Sequence, residues 1–386
     1  MITRLAISGY RSIRELVLAL GPLTIIAGAN GTGKSSLYRA LRLLADVAQG
    51  RIVQSLALEG GLGSASWAGP EKFSRAMKAG EQPVQGLAPR SPKFLKLGFA
   101  SETYGFAIEL GPKSTPRIDP SIFALDPQIK VEAQWWGEAL SGRNLIAERR
   151  GMAARIRAET GEWRQAATQL SGVDSMLMHC ADMREAFDLS VLRETVQRWR
   201  FYDNLRADCD APARRPQIGT FTPALADDGA DLAAVLGTIL EIGEAETLRE
   251  TIDDAFPGSA IDLLRSEGYF ETVMRQHGLL RPLRAAELSE GTLRYLLLVA
   301  ALLTPRPPPL MVFNEPESSL HPSLIAPLAR LMHRVAKNTQ LVVVSHSVML
   351  VSALRDDTCV EIALEKQLGE TLAPLHEKPK WTWPSR

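Results

Sequence analysis

The chain has 386 residues, of which 45% are hydrophobic, and its 44 Lys and Arg residues balance 44 Asp and Glu residues. This length is sufficient for a large core and for two or three lobes. A net charge of zero excludes a global basic field that would attract nucleic acid, and only a local patch could do so. The three cysteines, Cys180, Cys209 and Cys359, have no metal-binding spacing and indicate a reducing compartment.

No targeting or membrane segment is visible in the sequence. The first residues alternate between apolar and polar side chains, as in a strand, and lack the apolar region of a signal peptide. The longest apolar run, from Tyr295 to Leu303, is far shorter than the roughly 20 residues that cross a bilayer. We therefore expect a soluble, cytoplasmic protein with no membrane partner.

The N-terminal part reads as strands followed by a helix and then by an antiparallel sheet. Two strands are predicted over 2–8 and 13–20, a buried strand over 23–27 and, after a glycine-rich loop, a helix from Ser36 to about Gln49. Alternating patterns then predict further strands, which would form an antiparallel sheet, over 93–100, 103–110, 128–135, 144–149 and 153–158.

The rest of the chain is predicted to be mainly helical at first and mixed α/β from about residue 281. Helical patterns cover 174–202 and 231–255 on either side of a polar loop, and a hairpin with strands over 260–266 and 269–275 follows. From about residue 281 the pattern is α/β again, with strands over 310–313 and 341–344 and a helix over 323–336. We expect an N-terminal lobe (1–165), a mainly helical insertion (166–280) and a C-terminal lobe (281–386).

A phosphate-binding motif follows the buried strand. Residues 28–35, Gly-Ala-Asn-Gly-Thr-Gly-Lys-Ser, match G-x-x-x-x-G-K-[ST] between a strand and a helix, which is the context that the motif requires. Backbone N–H groups and the helix N-terminus would hold phosphate oxygens, Lys34 would reach the β- and γ-phosphates, and Ser35 would ligate Mg²⁺. A glycine-rich turn without a ligand is the alternative. The predicted nucleotide-binding residues here are Gly28, Asn30, Gly31, Thr32, Gly33, Lys34, Ser35 and Ser36.

Polar residues also stand at the ends of apolar segments in the C-terminal lobe. Ser289 and Gly291 open an apolar helix, Asn314 and Glu315 end a buried strand, and His346 follows the next strand. A carboxylate just past a buried strand and beside phosphates can orient and deprotonate an attacking water. A small hydroxyl and a glycine at a helix start present N–H donors to an anion, although an ordinary helix cap uses the same residues.

Together these segments resemble the ABC-type ATPases, in the branch that contains RecF, the structural-maintenance-of-chromosomes (SMC) proteins and the OLD-like predicted ATPases. The resemblance covers 1–49 and 281–355. It implies an α/β P-loop NTPase fold of the ABC/SMC-head type, with a mixed sheet, an antiparallel β subdomain and a helical insertion. It also implies ATP and Mg²⁺ as cofactors, and a homodimer in which each nucleotide contacts both chains.

The resemblance assigns roles to individual residues. Ser289 and Gly291 match the signature motif, which contacts the γ-phosphate bound to the other subunit. Glu315 matches the catalytic glutamate, and His346 matches the switch histidine that senses the γ-phosphate; a histidine satisfied by a strand-end carbonyl is the alternative for His346. Asn314 stands where Asp is usual as a Mg²⁺ ligand. Its amide oxygen can ligate the metal but adds no negative charge, so we expect slow turnover.

The sequence leaves the roles of Arg11 and Gln54 open and argues against a hydrolase triad. Arg11 could approach a phosphate or the dimer interface, or could be a solvated turn residue. Gln54 lies near the place of the glutamine that bridges Mg²⁺ and the lobes in this family, but it is not assigned. A hydrolase triad of Ser345, His346 and Asp356 is rejected because no nucleophile elbow supports it.

The preferred function is an ATP-hydrolysing switch whose dimerisation serves DNA repair, recombination or phage defence. The link to DNA rests on the resemblance alone. A predicted hairpin is rich in arginine but is interleaved with glutamates, which favours a solvated mixed-charge surface: Arg143, Glu148, Arg149, Arg150, Arg155, Arg157 and Glu159.

The alternative is an ATP-binding regulatory or scaffold subunit that recruits an effector protein, and Asn314 favours it. A membrane-transporter ATPase is disfavoured, because Ser35 and Ser289 are much further apart than the corresponding motifs of transporter subunits. The sequence has no heptad repeats of the kind that would form coiled-coil arms. The chain ends soon after His346, so we expect no room for the nuclease domain that follows the ATPase in OLD-like proteins.

Overall fold

A computed structural model describes residues 1–83, 94–113, 126–158 and 160–386. Residue 93, where a strand is predicted to begin, and Glu159 lie outside these ranges. The chain forms two compact units. The first contains Met1–Gly21, Gly28–Trp199 and Ile362–Arg386, and the second contains Pro22–Ala27 and Arg200–Glu361.

The first unit is built on an eight-stranded antiparallel sheet in the order β2-β1-β4-β5-β6-β7-β8-β9. Alternation of apolar and polar side chains predicts most of these strands from the sequence, although β4 and β5 are buried at nearly every position. The bounds are β1 Ile2–Tyr10, β2 Ile13–Ala19, β4 Leu95–Ser101, β5 Tyr104–Pro112, β6 Pro127–Trp136, β7 Leu145–Arg150, β8 Ala153–Arg157 and β9 Trp163–Ala167. The short strand β9 has no sequence signal strong enough to predict it, because its side chains are mostly exposed.

Helices and a second hairpin complete this unit. The predicted long helix is α1, Lys34–Ala48, and its three less buried positions, Ser35, Arg39 and Arg42, recur at helical spacing. The short helices are α2 Ile52–Leu58, α3 Gly61–Ala65, α4 Arg75–Ala79, α5 Met176–His179 and α6 Phe187–Gln197. The hairpin of β18 (Glu365–Gln367) and β19 (Glu370–Leu372) is absent from the sequence analysis. In the C-terminal tail the ring of Trp381 packs on that of Trp135, with 5.6 Å between centroids.

The second unit contains a five-stranded sheet in the order β10-β15-β16-β3-β17, in which β10, β15, β16 and β3 are parallel. These strands are short runs of apolar residues, as expected for a parallel sheet covered on both faces. Their bounds are β3 Leu23–Ala27, β10 Arg200–Tyr202, β15 Leu310–Asn314, β16 Gln340–Ser345 and β17 Cys359–Ala363. The prediction of a helix through 200–202 is wrong, because Phe201 and Tyr202 pair with β15.

Helices and a small sheet surround this parallel sheet. The helices are α7 Leu232–Ile242, α8 Ala245–Ala255, α9 Glu290–Leu302, α10 Ile325–Ala336 and α11 Val348–Leu354. The small sheet joins the predicted hairpin, β12 Ala260–Ser266 and β13 Tyr269–Arg275, to β11 Gln217–Ile218 and β14 Leu283–Arg284. One large cluster of buried residues unites these helices with β3, β15 and β16.

The polar loop predicted between the two helical regions, 203–229, holds only a short 3₁₀ turn and β11, and Gly243 lies between α7 and α8. In the described part of the chain, no helix is both long enough and apolar enough to cross a membrane.

Candidate nucleotide-binding and hydrolysis site

The phosphate-binding loop lies between β3 and α1, in the strand–loop–helix context that the motif requires. Gly31 and Gly33 have φ angles of 81° and 107°, which side chains rarely tolerate. Helix α1 begins at Lys34 directly after Gly33 and has no side-chain cap. The first N–H groups of a helix need partners, so this N-terminus can accept an anion.

The lysine of the motif is folded onto its own loop. Its Nζ donates to the carbonyl oxygens of Gly28, at 2.6 Å, and Ala29, at 2.9 Å, and only 6% of the residue is exposed. Phosphate oxygens can replace these carbonyl oxygens as acceptors of the Lys34 ammonium hydrogens. Asn30, Gly31 and Ser35 are exposed, and the Ser35 hydroxyl is therefore accessible to a metal ion or its water.

A residue far away in sequence supports the loop. The hydroxyl of Thr371, in β19, donates to the carbonyl oxygen of Thr32 at 2.8 Å and is 2.8 Å from the hydroxyl of Ser12. A Cβ atom on Gly33 would lie 2.1 Å from this Thr371 hydroxyl oxygen. Gly33 is therefore required by the close approach of β19 as well as by its own backbone conformation.

In the second unit, polar residues collect at one edge of the parallel sheet. Strand β16 lies between β15 and β3, with Asn314 paired to Val344 and Ser345 paired to Ala27. The carboxyl ends of these three strands therefore lie at the same edge, where α/β proteins bind ligands. Along the chain, the phosphate-binding loop begins at Gly28, the residue after Ala27.

Glu315 and His346 form a pair at this edge. Glu315 has a φ angle of 50°, and its N–H donates to the carbonyl oxygen of Val344 at 2.8 Å. The Nδ1 atom of His346 is 3.2 Å from the Glu315 Oε1 atom, and both side chains are nearly half exposed. Both groups thus remain accessible while each limits the orientation of the other.

Glu317 is a member of this cluster that the sequence analysis did not identify. Its side chain is 8% exposed, and its Oε1 atom accepts hydrogen bonds from the Ser345 hydroxyl and the Ser347 N–H. The Nδ1 atom of His346 is 3.9 Å from the same oxygen. The other oxygen, Oε2, is buried without a hydrogen-bond partner among the described residues. The only available signal was a second carboxylate two residues after Glu315.

An arginine approaches the same strand end from α9. Arg294 donates to the backbone oxygens of Leu205, at 2.6 Å, and Glu315, at 3.4 Å. Burial lowers the pKa of its guanidinium group, and Glu290 and Glu317 oppose this effect. Because a guanidinium group remains charged even so, Arg294 brings a positive charge to the segment that contains Glu315.

The signature residues lie at the exposed start of α9. Ser289 is exposed and caps the helix by accepting the Thr292 N–H at 3.1 Å. A Cβ atom on Gly291 would lie 2.8 Å from the Ser319 carbonyl oxygen, and the Ser319 hydroxyl donates to Glu290 at 3.1 Å. The start of α9 and the segment after Glu317 thus form one continuous surface.

The guanidinium group of Arg11 pairs with Glu59 at 2.7 Å, and 29% of the Arg11 side chain is exposed. Asp356 pairs with His333, at 3.1 Å, and Ser345 donates to Glu317, so the triad with His346 is not assembled. Gln54 is exposed on α2 and stays unassigned.

Three arginines of the arginine-rich hairpin form ion pairs with glutamates. Arg149 is fully buried and pairs with Glu132 at 3.3 Å. Glu148 pairs with both Arg150 and Arg155. The prediction of a solvated surface is therefore wrong for Arg149, because the inward-facing position of β7 places this side chain inside the unit.

The chain is similar to several known proteins. Residues 171–352 match a family described as "AAA domain, putative AbiEii toxin, Type IV TA system", and residues 4–45 match a second family described as an AAA domain. A segment of 44 residues, 11% of this chain, is 46% identical to an OLD nuclease of Thermus scotoductus (strain ATCC 700910 / SA-01). That match spans 8% of the length of the nuclease.

Among solved structures, the chain shares its fold with an SMC head bound to the C-winged helix domain of ScpA. The TM-score is 0.52 at 14% sequence identity, and the alignment covers 96% of this chain and 95% of that one. The fold is thus that of an SMC-head P-loop NTPase, as the sequence predicts. The family matches agree with the predicted resemblance to the ABC/SMC/OLD-like ATPases.

Proposed function

We propose that this protein binds ATP with Mg²⁺ on the loop of residues 28–35 and hydrolyses it slowly. One observation carries the proposal: the parallel strands β15, β16 and β3 are neighbours and carry at their carboxyl ends Asn314–Glu315, Ser345–His346 and the phosphate-binding loop. The hydroxyl of Ser35 and the amide oxygen of Asn314 are oxygen donors of the kind that Mg²⁺ prefers. When bound, the metal would neutralise charge that develops on the phosphates.

The chemistry assigned to this site is the attack of water on the γ-phosphate. The Glu315 carboxylate accepts the water proton while the water oxygen bonds to the γ-phosphorus and the bond from that phosphorus to the bridging oxygen of ADP breaks. Lys34 and the loop N–H groups balance the phosphate charge, and His346 orients Glu315. Because Asn314 supplies no negative charge to the metal, turnover is slow.

We also propose that ATP holds two copies of the chain together. Ser289 is exposed at the N-terminus of α9, where its N–H donors and the helix dipole can meet a phosphate of the partner copy. Each nucleotide would lie between the phosphate-binding loop of one protomer and the start of α9 of its partner. A pair of this kind is two-fold symmetric and contains two nucleotides.

Light scattering with purified Glu315→Gln tests this arrangement, because that variant should retain ATP. We expect a doubling of mass on addition of ATP and Mg²⁺, and none when Ser289→Arg is added to the same chain. The matched control is Ser266→Arg, at an exposed serine of β12, which should dimerise normally. A monomer under all conditions would contradict the dimer, and a failure to bind ATP would contradict the whole proposal.

A second candidate function has a specific observation in its favour. Asn314 lacks the negative charge of the usual aspartate, so the protein could bind ATP, dimerise and recruit an effector protein with little hydrolysis. Phosphate release distinguishes the two functions. If Glu315→Gln releases phosphate as slowly as the unaltered chain, the regulatory function is correct and the enzymatic one is not.

We place this ATP-dependent switch in DNA repair, recombination or phage defence in the cytoplasm. Similarity to an OLD nuclease and a fold shared with an SMC head support this setting, and three free cysteines are in keeping with a reducing compartment. DNA is the proposed partner, although three arginines of the β7–β8 hairpin, Arg149, Arg150 and Arg155, are paired with glutamates. The test is the rate of phosphate release with and without DNA, at two salt concentrations because DNA contacts are sensitive to salt.

A further inference from the structure

One buried threonine connects the phosphate-binding loop to the N-terminal hairpin, which consists of β1, β2 and the turn between them. Thr371 is fully buried, and its N–H donates to the Ser12 carbonyl oxygen at 2.7 Å. Its hydroxyl donates to the Thr32 carbonyl oxygen, so the Ser12 hydroxyl must be the donor in the contact between the two side chains. The result is a chain of hydrogen bonds from Ser12 through Thr371 to the loop.

The last bond of this chain determines how one peptide plane of the loop is oriented. In a planar trans peptide the carbonyl and the following N–H point in opposite directions. Because the Thr32 carbonyl points toward Thr371, the Gly33 N–H points to the opposite side of the loop. Gly33 precedes Lys34 in the motif, and its N–H belongs to the set that would hold phosphate oxygens.

We propose that Thr371 is a positioning residue for nucleotide binding, which holds the Thr32–Gly33 peptide in the orientation that phosphate requires. The inference rests on the proposed binding of nucleotide to this loop. A hydrogen-bond chain in a buried site is strengthened by mutual polarisation. The loop therefore keeps its orientation before the nucleotide arrives, and binding does not have to supply the ordering free energy.

A purely structural role for Thr371 predicts a different result. The bond from the Thr371 N–H to Ser12 joins β19 to the N-terminal hairpin through backbone atoms alone. In addition, Arg14 pairs with Glu370, the preceding residue of β19, at 3.0 Å. Both contacts remain when only the hydroxyl is removed. Thr371→Val therefore breaks the hydrogen bond to the phosphate-binding loop but leaves β19 attached to the N-terminal hairpin of β1 and β2.

The experiment measures the dissociation constant of a fluorescent ATP analogue with Mg²⁺ for the full chain and three variants. We expect Thr371→Val to weaken binding roughly tenfold, the size of effect that one buried hydrogen bond can produce. Thr371→Ser keeps the hydroxyl and should bind within about twofold of the unaltered chain. Ser12→Ala removes only the first donor of the chain, and its loss should be smaller than that of Thr371→Val.

The control is Thr251→Val in α8, since Thr251 is also buried and donates its hydroxyl to a backbone carbonyl, that of Thr247. It should leave nucleotide affinity unchanged. If Thr371→Val binds the analogue as tightly as the unaltered chain, the positioning role is refuted while the proposed function stands. If the unaltered chain binds no nucleotide, the proposed function fails, and this inference fails with it.

Discussion

Two pairs of ionisable side chains have similar contact distances but opposite surroundings. In the antiparallel sheet of the first unit, Arg149 and Glu132 are both completely buried and 3.3 Å apart. At the edge of the parallel sheet in the second unit, His346 and Glu315 are 3.2 Å apart, and their side chains are 48% and 40% exposed. The contact distances are nearly equal, whereas the access to solvent is entirely different.

The buried pair has all its interactions within the protein. Arg149 also donates to the backbone oxygens of Gly151, Asp174 and Ser171, while Glu132 accepts from Ser175 and Met176. Burial raises the pKa of the Glu132 carboxyl, and Arg149, Ser175 and Met176 oppose that rise. Such a pair joins β6 and β7 to the segment before α5. The exposed pair retains free acceptor sites, which is the requirement for a group that must take a proton from water.

The largest effect should come from removing the charge of the exposed pair. Glu315→Gln should lower the rate of phosphate release by about 10²–10⁴, since the amide cannot act as a base. ATP binding should persist, as measured with a fluorescent analogue. The control is Glu267→Gln, because Glu267 is exposed and has a φ angle of 48°, close to the 50° of Glu315. Equal loss of activity in both variants would argue against a catalytic role for Glu315.

Breaking the buried pair should affect stability. Arg149→Met leaves Glu132 without its counter-ion in a buried site, and we expect the free energy of unfolding to fall by about 3–5 kcal/mol. Urea denaturation followed by tryptophan fluorescence measures this change. Arg155→Met, in the same hairpin but with a 45% exposed side chain, should cost about 1 kcal/mol or less. Similar losses in the two variants would show that burial does not distinguish these arginines.

Glu317 lies between the two extremes, because it is buried but borders the exposed pair. Glu317→Gln removes the charge that receives the Ser345 hydroxyl and the Ser347 N–H, and the segment that carries His346 loses its anchor. We expect kcat for ATP hydrolysis to fall roughly tenfold, with little change in KM, since bonds to a charged group contribute about 1.5–3 kcal/mol. Ser345→Ala removes one of these donors and should give a smaller decrease. An unchanged kcat in Glu317→Gln would exclude this positioning role.

The smallest effect concerns the metal ion. Asn314→Asp adds a negative charge at the end of β15, and we expect the Mg²⁺ concentration that gives half-maximal phosphate release to fall several-fold. Titration of the two chains with Mg²⁺ at saturating ATP measures the shift. Superimposable titration curves would remove Asn314 from the set of metal ligands.

Much of the fold could be predicted because its signals are local. Alternation of apolar residues located β1, β2 and the hairpin of β12 and β13, and continuous apolar runs located β3, β15 and β16. The strand β10 was missed because residues 200–202 follow a helical pattern and become a strand only by pairing with β15. The hairpin of β18 and β19 was missed because its strands have three residues each, too few for a periodic pattern.

The residues of the candidate site also differ in whether local sequence could predict them. Lys34, Glu315 and His346 belong to short motifs in which neighbours in sequence reveal the chemistry. Thr371 acts on Thr32 from 339 positions away, and no pattern around either residue indicates that contact.

The amino-acid sequence by itself determined the phosphate-binding motif, the apolar strands that flank the polar residues, and the P-loop NTPase fold. Only the tertiary structure decided that Arg149 is buried, that Glu317 borders His346, and that Thr371 supports the loop. The physical reason is that backbone conformation and side-chain periodicity are local properties. Burial and hydrogen bonding between distant residues, by contrast, depend on which strands become neighbours when the chain folds.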